Sequence, residues 1–115
     1  MNELITFALM ISRNQIKYIQ SLRLKKIRDQ HGVFIAEGEK IAAELIGSNL
    51  ELKMIFALQE WLDEHQSKLP EKTAFYPVSV KELERISNLK TPNQVLAVIK
   101  QPSTSIKKEI FAKGL

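Results

Sequence analysis

A chain of 115 residues with 44% hydrophobic and 26% charged side chains has the size and composition of one ordinary globular domain. Four glycines and four prolines are too few for a disordered or collagen-like chain. The absence of cysteine excludes a disulfide framework, a thiolate metal site and a cysteine nucleophile, as suits a reducing cytoplasm. The formal net charge of +4 lies at the front: residues 1–31 hold Arg13, Lys17, Arg23, Lys25, Lys26 and Arg28 against Glu3 and Asp29, while the remainder is balanced. A single-sign stretch on a neutral domain creates a local field, and its commonest polyanionic partner in a cell is nucleic acid.

The apolar run from Leu4 to Ile11 lacks the basic lead and small-residue cleavage site of a secretory signal. It is also well short of the roughly 20 residues that span a bilayer, so no membrane partner is expected. Residues 1–10 read as an N-terminal extension, with Met10 a second candidate start. Between Ser12 and Gln30 the apolar positions Ile16, Ile19, Leu22, Leu24 and Ile27 slip in phase near Leu22, which predicts two short helices. Ser12 or Asn14 can cap the first, and Gly32 can end the second. Val33–Glu37 reads as a buried strand broken by Gly38, and Glu39–Ile46 as an amphipathic helix stopped by Gly47.

Leu52–Leu58 predicts a second strand and Gln59–Lys68 a polar helix with a thin apolar stripe, ended by Pro70. Thr73–Val78 reads as a third strand, which Pro77 confines to an edge or a terminus. Ser79 and Glu82 have the spacing of a reciprocal capping box ahead of the helix carrying Leu83 and Ile86. Val95–Ile99 is apolar without interruption inside Gln94–Lys100, the pattern of a central strand covered on both faces. Alternating helices and about four strands predict an α/β domain layered helix, sheet, helix, with residues 101–109 a linker.

Candidate chemistry is sparse. His31 and His65 lack the neighbours of a triad or metal pair, and the single glycines build no phosphate loop. Neither catalytic nor metal-ligating residues are expected. Glu37 and Glu39 flank Gly38 at a strand mouth and could serve acid and base chemistry, but Glu39 also suits the first turn of a helix. Trp61, Phe75 and Tyr76 read as core rather than as base-stacking platforms.

Ser12, Asn14, Lys17, Leu22, Lys26 and Arg28, followed by Gly32, Phe34 and Glu37-Gly38 opening a helix, resemble the start of the substrate-binding domain of SpoU-type (TrmH-family, SPOUT superfamily) RNA 2′-O-ribose methyltransferases. Thr91-Pro92-Asn93-Gln94-Val95-Leu96-Ala97-Val98 resembles the segment that closes the same domain. One departure is visible: family members commonly carry Gln-Gly where this chain has Asn93-Gln94, and glutamine adopts a positive φ only at a cost.

The resemblance implies a fold similar to kink-turn-binding ribosomal proteins over residues 11–100. It implies recognition of structured rRNA or tRNA, and a separate knotted domain that binds S-adenosylmethionine and methylates a ribose 2′-hydroxyl. The Asn-x-Gly-x-x-x-Arg motif of that second domain is absent here, and residues 110–115 would be its beginning. The chain is therefore expected to be an RNA-recognition fragment that binds no cofactor, is monomeric and does not transfer a methyl group alone; its parent would be a homodimer. Arg13, Asn14, Lys17, Arg23, Lys25, Lys26 and Arg28 are the expected RNA contacts, the cations on phosphates. Two readings stay open: a freestanding RNA-binding module, and a protein-interaction domain with a merely solvated basic front.

Overall fold

The computed structural model describes residues 11–102. Helix α1 (Arg13–Ser21) starts at Ser12, whose Oγ accepts the Gln15 N–H while the Gln15 side chain accepts the Ser12 N–H. This reciprocal cap decides between the two predicted starts in favour of Ser12. A tight turn at Leu22–Leu24 leads into α2 (Lys25–His31), which Gly32 ends at φ 68, ψ 34, a left-handed cap that glycine adopts without a Cβ clash. Strand β1 (Val33–Glu37), α3 (Glu39–Ile46) and β2 (Leu52–Ala57) follow. Helix α4 (Gln59–His65) tightens into a 3-10 turn (Gln66–Lys68), and β3 (Ala74–Pro77), α5 (Val80–Ile86) and β4 (Val95–Lys100) complete the domain. The predicted capping box of Ser79 and Glu82 opens α5 with both bonds formed.

The sheet runs β1-β4-β2-β3, with β4 antiparallel to both neighbours and β3 parallel to β2 at the edge. Alternate residues of β4 divide between two cores. Leu96 and Val98 join Ile16, Ile19 and Leu22 of the α1 region and Leu83 and Ile86 of α5. Val95, Ala97 and Ile99 join Ala42 and Leu45 of α3 and Trp61 and Leu62 of α4. The helix, sheet, helix layering follows from this alternation, because each face of the central strand must be covered.

Strand β2 shows one irregularity that its hydrophobic pattern conceals. Leu52 pairs with Ile99 but Met54 pairs with Val98, so Lys53 is an extra, exposed residue. The bulge resets the side-chain alternation. As a result Leu52 and Ile55, three residues apart, share one core while Phe56 faces the other. Thr73, buried just before β3, ties that edge down by donating its hydroxyl to the Leu52 carbonyl at 2.7 Å.

Among the described residues every positive φ belongs to Gly32 or Gly38, so the turn at Asn93-Gln94 needs no glycine. Phe75 corrects its sequence reading. It is 38% exposed on the edge strand rather than core, whereas Trp61 is buried and Tyr76 stacks on Phe56 with centroids 5.1 Å apart. No described helix is long and apolar enough to cross a membrane. The expected extension at residues 1–10, most of the linker and residues 110–115 lie outside the described residues.

Candidate nucleic-acid interface

Burial of Ile16 and Ile19 fixes which side of α1 meets the sheet and leaves Arg13, Asn14 and Lys17 exposed, with Arg13 and Lys17 one turn apart. Lys26 is exposed on α2. Among the described residues no ion pair or side-chain hydrogen bond engages Arg13, Asn14, Lys17 or Lys26. Lys25 reaches Asp29 at 2.8 Å across one turn, and its side chain stays 80% exposed. Such an exposed pair contributes only about 0.3–0.5 kcal/mol, so it yields readily to a phosphate.

The other two predicted contacts serve the fold as well. Arg28, half-buried, donates Nη1 to the carbonyls of Leu22 (2.8 Å) and Arg23 (3.0 Å), in the turn that ends α1. Arg23 donates Nη2 to the carbonyls of Arg85 (3.3 Å) and Ser87 (3.2 Å) at the end of α5, beside the Gln20 side chain that also reaches Arg85. Each guanidinium satisfies orphan carbonyls and sits at the negative end of a helix dipole. An arginine has five N–H donors, so both retain donors for a further acceptor. These bonds hold α5 against the α1–α2 turn and bring Arg85 alongside the basic front. Sequence reading passed over it, because its nearness depends on packing between helices some 60 residues apart.

Glu37 and Glu39 do not form a carboxylate pair. Glu37 accepts the Ser87 hydroxyl on one oxygen and the Asn88 N–H (2.9 Å) on the other, latching the segment after α5 to the end of β1. Glu39 stands exposed in the first turn of α3. A groove of about 530 Å³ between them is lined by Glu37, Glu39 and Glu44 with Lys40, an acid-rich rim that repels phosphate. His65 stacks on Trp61 at 4.2 Å and donates Nδ1–H to the Trp61 carbonyl, and His31 lies edge-on to Tyr18 at 5.2 Å. Burial raises the Tyr18 hydroxyl above its ordinary value of 10.0.

The chain leaves the sheet beside this basic surface. Gln101 donates its backbone N–H to Gly32 O (2.8 Å) and its side-chain amide to Asp29 (2.9 Å) and the Val33 carbonyl (3.1 Å). The end of β4 is thereby fixed to the end of α2.

Comparison with known proteins agrees with this architecture. Residues 13–97 match the family model of the MRM3-like substrate binding domain. An RNA methyltransferase assigned to the TrmH family from Porphyromonas gingivalis superimposes with a TM-score of 0.71 at 27% identity, over 81% of this chain and 36% of its own. An AdoMet-bound rRNA methyltransferase from Sinorhizobium meliloti (TM-score 0.66, 23% identity, 76% of this chain and 33% of its own) shares the fold. So does the SpoU methyltransferase AviRb from Streptomyces viridochromogenes in complex with AdoMet (TM-score 0.66, 17% identity, 80% and 37%). The chain spans about a third of the length of these solved proteins. No curated protein matches the sequence. The chain belongs to the MRM3-like substrate binding domain family, the domain of SpoU/TrmH-type RNA methyltransferases.

Proposed function

We propose that residues 11–100 hold structured rRNA or tRNA for a 2′-O-ribose methyltransferase whose catalytic domain lies beyond residue 109, with residues 101–109 as the linker and residues 110–115 as that domain's start. The observation that carries this reading is the surface of α1 and α2: Arg13, Lys17 and Lys26 without partners among the described residues, Lys25 weakly paired, and the guanidinium groups of Arg23 and Arg28 fixed beside them. Phosphate oxygens supply the acceptors such a surface lacks, bidentate for arginine and point-like for lysine. Asn14 adds an exposed amide that donates or accepts at ribose or base.

The exit of β4 favours the same arrangement. Because Gln101 is fastened to α2, a domain attached after the linker hangs next to RNA held on α2 rather than on the far face of the sheet. S-adenosylmethionine belongs to that domain. Among the described residues the one buried polar side-chain atom without a partner, Trp61 Nε1, belongs to an indole packed in the α3/α4 core rather than lining a groove. The 115-residue chain is then a monomer without transferase activity, and its cytoplasmic parent a homodimer joined through the catalytic domain.

Titration of the 115-residue chain against folded rRNA and tRNA transcripts by electrophoretic mobility shift tests the reading. Complexes should form at 50 mM salt and dissolve as salt rises, since the contacts are phosphate contacts. Absence of any complex at 50 mM salt would overturn it.

A further inference from the structure

A second groove, of about 430 Å³, opens where α2, the outer edge of β1 and the segment after α5 meet, within the range of about 300–1,000 Å³ common for small-ligand sites. Its walls are apolar: Ile35 from β1, and Leu89, which stands 44% exposed although it is a leucine. Its rim is polar, with the Arg28 guanidinium, the Glu37 carboxylate and the exposed Asn88. The arginine is held by the two carbonyls ending α1, and the carboxylate by Ser87 and the Asn88 N–H. Among the described residues the Asn88 side chain has no partner.

We propose that this groove takes one unstacked nucleobase of the RNA that lies along α1 and α2, a proposal that rests on the RNA-binding reading above. Three observations favour a nucleotide as the occupant. The groove shares Arg28 with the proposed phosphate surface, so a base entering it leaves its own phosphate over α2. Lys26, on the same helix as Arg28, and Lys90, next to Leu89 in sequence, are exposed cations that suit a polyanionic ligand. The rim offers what the edge of a base needs, namely a donor fork, an acceptor carboxylate and an amide that does both. Ile35 and Leu89 supply apolar surface against which a base packs, while the Phe34 side chain belongs to the core on the other face of the sheet. Phosphate contacts position RNA without reading it; a base held here would supply a discriminating contact.

The test uses three hairpin RNAs of equal length and phosphate count: one with a single bulged nucleotide, one with an abasic residue at the bulge, and one fully paired. Fluorescence anisotropy at fixed salt should give about tenfold tighter binding of the bulged hairpin than of the abasic one. Leu89→Ala and Asn88→Ala, both at exposed positions, should each shrink that preference severalfold while the salt dependence stays unchanged. Equal affinity of the wild-type chain for all three hairpins would overturn the groove and leave the phosphate surface standing. So would a bulge preference that both variants keep. Failure of the wild-type chain to bind any of the three would instead overturn the RNA-binding reading itself.

Discussion

Arg28 provides a sharp separation between a cation that holds the fold and one that faces solvent. Replacing it with alanine removes two hydrogen bonds from a charged donor to the Leu22 and Arg23 carbonyls and leaves the end of α1 unsatisfied. Hydrogen bonds to charged groups contribute about 1.5–3 kcal/mol each when buried. Both come from one nitrogen of a half-buried side chain, so the pair together is worth about 2 kcal/mol. For a domain of this size that lowers Tm by about 10 °C. Arg28→Lys should fall between, because an ammonium keeps the charge near the helix end but not the fork. Lys26→Ala, two residues away and without a side-chain partner among the described residues, should move Tm by no more than about 3 °C. Thermal unfolding of the four proteins followed by far-UV circular dichroism reads this directly. Equal Tm values for Arg28→Ala and Lys26→Ala would show that the carbonyl bonds do not stabilise the folded chain.

Three further outcomes follow from single positions. Gly38 sits at φ 122, ψ 150, a region essentially confined to glycine, although a Cβ there would meet nothing nearer than Asn93 Nδ2 at 3.7 Å. Gly38→Ala should therefore cost about 1–3 kcal/mol through the backbone alone, measured by urea denaturation, and unchanged stability would refute the strain. Because burial raises the Tyr18 pKa above 10.0, folding favours its neutral form. The contribution is fully present below pH 10 and is lost as pH rises through the folded value, so Tyr18→Phe should flatten the alkaline loss of stability above pH 10. Arg23→Ala should loosen the contact between the α1–α2 turn and α5, seen as faster amide exchange at Ser87–Leu89, whereas Lys17→Ala should leave those amides unchanged.

Local signals were legible in the sequence and distant ones were not. The Ser79–Glu82 box and the Gly32 stop depend on residues three or four apart, and the structure places both where the spacing put them. Uninterrupted Val95–Ile99 identified the central strand because only a strand covered on both faces tolerates that run. The Lys53 bulge escaped, since a slip in pairing with Ile99 and Val98 has no mark in β2 itself. The basic front was legible as charge, but charge does not show commitment. That Arg28 reaches back to Leu22, and that Arg23 reaches residues more than 60 positions away, decides which cations are free for a ligand. The same packing places Arg85, Asn88 and Leu89 beside the front, where no motif announced them.

The central claim is that the cations of α1 and α2 grip phosphates. Its most direct test is the salt dependence of hairpin RNA binding for the wild-type chain and for Arg13→Gln, Lys17→Gln, Lys26→Gln together, a variant that disturbs no hydrogen bond among the described residues. Six engaged phosphates predict a log-log slope of about −4, a few-hundredfold weakening from 50 to 200 mM salt, and loss of three contacts predicts about −2, or about twentyfold. Equal slopes for the folded variant and the wild type would place the RNA elsewhere on the molecule and contradict the account.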